Sequence, residues 1–113
     1  MTLVHVPTGA VVASSVDMAL TRSDRRKGLL GRDSLESNAA MFIAPCIAIH
    51  TVGMEFPIDV AFCDRYGFVL HTSTLAPRRV SKVVGRSYFA IEAPAGAFER
   101  WDLHLGDVIE VRG

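Results

Sequence analysis

Apolar and polar residues in this chain alternate with a period of two far more often than with the 3.6 of a helix. Val16, Met18 and Leu20 alternate with Asp17 and Ala19, and Ile58, Val60 and Phe62 alternate with Asp59, Ala61 and Cys63. Alternation of this kind sends one set of side chains to a core face and the other set to the opposite face of a strand. Asp64-Arg65-Tyr66-Gly67 then joins IDVAFC to FVLHTSTL. Gly67 can take the left-handed conformation that a short hairpin loop with a bulge requires. Pro7-Thr8-Gly9 and Pro94-Ala95-Gly96 are further turn signals. Leu105-Gly106-Asp107 introduces a last strand, expected over Val108 to Val111. The uncharged run from Ser37 to Met54 is interrupted by Pro45 and Gly53 and reads as buried strands and a turn.

Two stretches look helical. Thr21 can cap a helix, and Asp24 stands three residues on, a capping-box-like start with Asp in place of the usual Glu. Arg25, Arg26 and Lys27 then fall toward the negative end of the helix dipole, and Gly28 or Gly31 can end it. Ala97 to Trp101 can form one or two turns. Helices this short are not stable alone and must lie on a sheet. The expectation is a mainly β fold of about eight strands with one or two short helices. A sandwich or a partly closed barrel would bury its apolar faces.

Composition narrows the class. The chain has 113 residues, 50% of them hydrophobic, with 12 Lys+Arg against 12 Asp+Glu. That length suits one domain over residues 1–113, and the apolar fraction excludes a disordered segment. Zero formal charge argues against blanketing nucleic acid or an anionic membrane with positive charge. Two cysteines make neither a disulfide framework nor a four-thiolate zinc site. The start, MTLVHVPTGAVVASSV, is a poor secretory leader, and no stretch is uniformly apolar enough for a membrane span. A cytoplasmic address follows as the default, with Cys46 and Cys63 as reduced, mostly buried thiols.

Longer ordered motifs add a resemblance. Arg25-Arg26-Lys27-Gly28-Leu29-Leu30-Gly31-Arg32, Met41-Phe42 and His50-Thr51-Val52-Gly53-Met54-Glu55-Phe56-Pro57-Ile58-Asp59-Val60-Ala61-Phe62 resemble the Domain of Unknown Function 192 family. Ile91-Glu92-Ala93-Pro94-Ala95-Gly96 and Leu105-Gly106-Asp107 match its closing elements in order and spacing. The resemblance spans roughly residues 16 to 111. It implies a compact β-rich fold with one short helix near the Gly28 to Arg32 element. It brings no reaction, ligand or partner with it. Some relatives look exported behind a leader, for which this domain begins too soon after Met1.

Several residues are candidates for chemistry. Asp59 shares its strand face with the small apolar Ala61 and Cys63, so it can be partly buried. A buried carboxylate needs a charge partner or several donors, and the family pattern makes Arg26 and Arg32 the expected partners. A sharper alternative makes Asp59 and His50 an acid–base pair in an enzyme of unknown reaction. Glu92, inside FAIEA, raises the same question. Cys46, His50 and Met54 are soft-metal ligand types, but residues four apart on a strand lie about 13 Å apart, so no metal is expected. There is no Gly-rich phosphate loop, metalloprotease helix or nucleophile elbow, and hence no expected cofactor. Cys63 has no basic neighbour in sequence and reads as an inert thiol.

Charge is distributed unevenly. Arg65, Arg78, Arg79, Lys82 and Arg86 fall in a stretch, Arg65 to Ile91, that contains no acid. The following stretch to Glu110 holds Glu92, Glu99, Asp102, Asp107 and Glu110 against Arg100 alone. Arginine forks grip carboxylates and phosphates, and Pro77-Arg78-Arg79-Val80 reads as an exposed loop. Aromatic residues do not interleave with these charges, so nucleic acid is not expected as a partner. The leading expectation is a non-enzymatic domain binding a small anionic ligand or an acidic protein surface through Arg26, Arg32, His50, Asp59, Arg78 and Arg79. It requires Arg26, Arg32 and Asp59 to form one polar cluster. A third reading is structural, with the matched residues holding turns and core.

Overall fold

In the computed structural model, which describes residues 1–113, the alternating segments form eight strands in two sheets. β1 (Thr2–His5) and β2 (Ala10–Ala13) make a hairpin about the turn that ends at Gly9, and β8 (Ile109–Arg112) pairs with the other side of β1. The larger sheet runs β3 (Ser15–Ala19), β4 (Ala39–Ile43), β7 (Phe89–Pro94), β5 (Ile58–Cys63), β6 (Val69–Leu75). Only its β3–β4 pair is parallel. The two sheets stay separate, so the fold is a sandwich and not a closed barrel. No helix is long and apolar enough to cross a membrane.

One side of the larger sheet meets the smaller sheet. Ala61, Cys63, Phe89, Ile91 and Ala93 pack there with Leu3, Ala13 and Ile109, and with Phe98 and Trp101 from α2 (Ala97–Arg100) and the residue after it. The other side is covered as well. Ile43, Val60, Phe62 and Ala90 pack beneath Leu29, Ile49, Met54 and Leu75. These covers come from the segment after α1 (Arg22–Lys27), from the long connection between β4 and β5, and from the end of β6. Every residue of β5 is therefore buried, Asp59 included, and five of the six in β7. Period-two reading assigned β5 a single core face. The sheet in fact has two, which is why IDVAFC and FAIEAP have so little polar character. At the edge strand the pattern overreaches: Leu20 lies beyond the end of β3 and is 52% exposed.

Local signals act as their chemistry requires. The Thr21 side chain accepts from the Asp24 N–H at 3.0 Å, and the Gly28 N–H closes α1 on the Asp24 carbonyl at 2.8 Å with φ of 46°. α1 buries none of its own residues. Leu29, 2% exposed, anchors it to the sheet from just outside. The β5–β6 hairpin turns through Asp64, whose side chain accepts from the N–H groups of Tyr66 and Phe68. Its tip bears on the start of β8, where Ile109 donates to the Gly67 carbonyl at 3.0 Å. That strand begins at Ile109, one residue later than the sequence suggests, with Val108 in a lone bridge to Phe68. Buried His5 fixes the same corner through Thr8 and Asp107, at 2.9 and 2.8 Å.

Gly67 and Gly106 both have positive φ, 90° and 85°. A Cβ on Gly67 would meet the Ile109 backbone oxygen at 2.3 Å, whereas one on Gly106 would meet nothing within 4 Å. Left-handed backbone alone costs an L-residue roughly 1–2 kcal/mol. Gly106→Ala should lose about that much in urea unfolding, and Gly67→Ala at least about 2 kcal/mol more, because backbone must move.

Candidate functional site

Cross-strand register places Asp17, Met41, Glu92, Val60 and Ser73 in one row across the larger sheet, on the side away from the smaller one. Glu92 occupies the middle strand of that row and is 3% exposed. No donor reaches its Oε1, which is sealed from solvent. The chain passes over it at Gly28, where a Cβ would lie 3.6 Å from Oε1.

Beside this crossing lies a cavity of about 380 Å³, with Glu92 among its lining residues. Arg22, Arg25, Arg26 and Lys27 of α1 line it on one side, and Cys46, Ile47, Ile49 and His50 from the β4–β5 connection line it on the other. Leu29, Ile43 and Met54 supply its apolar depth. None of the four α1 cations has a carboxylate within ion-pairing distance, since the ion pairs of this structure are His5–Asp107, Arg32–Asp17, His104–Asp102 and Arg112–Glu110. Asp24, the one acid of α1, lines a neighbouring depression together with Asp17, Gly31 and Arg32.

Burial pushes the Glu92 carboxyl up to about 7, with the positive charge of Arg32 pulling weakly the other way. Burial thus favours the protonated form, and a neutral carboxyl offers one O–H donor and an acceptor oxygen. Burial likewise raises the Cys46 thiol to about 11, with the backbone at Ala48 opposing the rise and the nearby Glu92 adding to it. Cys63 is raised further still by burial, with Asp64 adding to it. Neither sulfur is a thiolate nucleophile at neutral pH.

The structure divides the residues expected to share a site. Arg26 and His50 line the cavity. Arg32 lies in the adjoining depression and pairs with Asp17 at 2.8 Å. Asp59 has no arginine partner, contrary to expectation. It faces the smaller sheet, where Oδ2 accepts from the N–H groups of Gly96 and Phe98 at 3.1 Å each, and Oδ1 accepts from Thr74 Oγ1 at 2.7 Å. Backbone amides at the start of α2 meet its charge at short range and leave no room for a guanidinium. The single cluster of Arg26, Arg32 and Asp59 is therefore not formed. Asp59 and His50 do not form an acid–base pair either, because the sheet lies between them.

Arg78 and Arg79 lie on the β6–β7 connection, held by backbone bonds to Thr51, with side chains outside the cavity. The same connection continues antiparallel to the cavity wall, through Ser81 to Ile49 and Val84 to Ile47. Cys46, His50 and Met54 do share the cavity, but no three His, Cys, Asp or Glu side chains converge anywhere to hold a metal. Glu92 is the residue that sequence reasoning left in second place. Its signal was an acid inside a strand whose neighbours on both faces are apolar.

A family model matches residues 4–111, nearly the whole chain. The chain belongs to the DUF192 family, described as an uncharacterized ACR. The match begins earlier than residue 16 and takes in the end of β1 and all of β2. No curated protein matches the sequence. Among solved structures, a protein of unknown function from Novosphingobium aromaticivorans DSM 12444 superposes with a TM-score of 0.77 at 20% identity, covering 85% of this chain and 74% of that one. A protein from Sinorhizobium meliloti 1021, described there as a suspected transcription regulator, gives 0.75 at 20% identity, covering 84% and 79%. At that identity the likeness is one of fold. Within this DUF192 domain, three of the segments that carry the family resemblance contribute to the cavity, through Arg25 to Leu30, through His50 and Met54, and through Glu92, whereas Met41-Phe42 and Leu105-Gly106-Asp107 do not line it.

Two measurements check these assignments. Glu92 binds its proton more tightly in the folded protein than in the unfolded chain, where 4.5 is the ordinary value. Stability from this group is therefore full below pH 4.5, falls as pH rises to about 7 and is flat above, a total loss of about 3 kcal/mol. Glu92→Gln should remove that slope, so denaturant curves of variant and wild type should diverge between pH 4.5 and 7 in the variant's favour. Asp59→Ala leaves buried amides unpaired and should cost about 3 kcal/mol or more, whereas Arg32→Ala breaks a half-exposed pair and should cost less than about 1 kcal/mol.

Proposed function

We propose that this DUF192 domain is a non-enzymatic binding module for a small anionic ligand with an apolar body, seated in the groove between α1 and the larger sheet. One observation carries the reading: four cations without carboxylate partners line one side of a cavity whose depth is apolar. A volume of about 380 Å³ falls within the range of small-molecule sites, about 300–1,000 Å³. Arginine forks at the rim would hold a carboxylate, sulfonate or phosphate through paired N–H donors, while Ile43, Ile49 and Met54 would receive the apolar part. Arg26 and His50 are rim residues in this reading. Arg32 lies in the adjoining depression with its charge met by Asp17, and Asp59 holds the frame from the far side of the sheet.

Arg78 and Arg79 belong to a second basic surface with Lys82 and Arg86, all exposed and none in an ion pair. That surface supports an acidic protein as a further partner, reached independently of the groove.

Octanoate and 1-octanol differ in charge and share a chain, so calorimetric titration with both tests the groove. Octanoate should bind about tenfold or more tighter than octanol, and Arg26→Ala should weaken octanoate by about tenfold, the size of one charge-assisted contact. Arg78→Ala should leave octanoate binding within about twofold. Equal binding of the two probes, or an Arg26→Ala variant that binds octanoate like wild type, contradicts the reading.

A further inference from the structure

The groove has a feature that cations and apolar walls do not explain. Glu92 stands in the central strand of a sheet covered on both sides, 3% exposed, with Oε1 meeting no donor. A buried acceptor left without a donor costs about 1–3 kcal/mol, and such groups are few in folded proteins. Asp59 shows how this same sheet treats a purely structural acid: two backbone amides and a hydroxyl satisfy it. Met41 and Val60, the cross-strand neighbours of Glu92 in its row, have no donor to give. The side chain lines the cavity instead.

We infer that Glu92 is a recognition group of the groove, and that the ligand carries a hydroxyl at the end of its apolar body to meet Glu92, with its anionic group at the α1 rim. The inference rests on the groove being the binding site and adds the ligand's class, a hydroxy-substituted amphipathic anion. An ammonium group in that position would be repelled by Arg22, Arg25, Arg26 and Lys27, which line the same cavity. A hydroxyl carries no charge and both donates and accepts. It therefore matches a protonated carboxyl at the cavity wall, which offers one O–H and accepts in return. Burial raises the Glu92 pKa to about 7, which keeps the neutral form well populated at and below neutral pH.

Hexanoate, octanoate and decanoate, each beside its ω-hydroxy counterpart, test the inference by calorimetry at pH 6.5. For the chain length that spans the groove, the ω-hydroxy acid should bind wild type about tenfold tighter than its parent. Glu92→Met should abolish that gain, so that the ω-hydroxy acid and its parent bind it alike, while Glu92→Gln, which keeps an acceptor oxygen, should retain part of the gain. No gain at any length in wild type, or a gain that survives in Glu92→Met, overturns the inference. If none of the parent acids binds, the groove reading itself falls; if they bind and the hydroxyl adds nothing, only the hydroxyl assignment falls. Should Glu92→Met fail to fold, the ¹³C carboxyl resonance of Glu92 in wild type decides. The inference requires a shift with the ω-hydroxy acid that the parent acid does not produce, and identical shifts overturn it.

Discussion

A sheet buried on both faces dictates most of what this fold does. Its central strands, β5 and β7, have no side open to water, so each polar side chain they carry must be met from within the protein or from a cavity. Apolar transfer at about 25 cal/mol per Å² rewards filling both faces. The smaller sheet and α2 fill one, and the segment after α1 with the β4–β5 connection fills the other. A carboxylate on either face is expensive unless donors surround it.

Asp59 and Glu92 are the two acids on those strands, and the fold treats them oppositely. Asp59 ties the amides of Gly96 and Phe98 to Thr74 and so fixes the turn that starts α2 against the sheet. It is structural in role and remote from the groove. Glu92 has no such set of donors and borders a cavity flanked by cations. Two acids of similar burial thus differ in their partners: one holds the frame, and the other is left without a donor beside a cavity. Gly28 matters for its backbone, whose positive φ ends α1 at the groove's edge beside Glu92.

Much of the fold could be read from the chain. Alternation in IDVAFC, the Asp64 to Gly67 hairpin, the Thr21 cap and the Gly28 stop are local chemistry, and each behaves as its residues require. Leu20 and the full extent of burial on the second face of β5, which Ala61 and Cys63 only hinted at, could not be read, because which layer covers a strand depends on contacts far away in sequence. The candidate site was half visible. Arg26 and His50 came from residue type and motif, but Asp59 was matched to arginines when its actual partners are backbone amides, which have no side-chain signature. Glu92 carried the better signal, an acid amid apolar neighbours on both strand faces, and only register across the five strands shows what it lacks. The uneven charge along the chain also resolves in space. Acids of the Glu92 to Glu110 stretch form no ion pairs with the Arg65 to Ile91 cations: Asp107, Asp102 and Glu110 pair with His5, His104 and Arg112 instead.

The central claim is that Glu92 is a buried carboxyl without a protein partner at the edge of the groove. Titration of its ¹³C carboxyl resonance by NMR, in wild-type protein across pH 3 to 9, tests this most directly. The account predicts a midpoint near 7, displaced upward from the ordinary 4.5 by burial. A midpoint at or below 4.5 would mean that donors or water already satisfy the group, and would contradict the account.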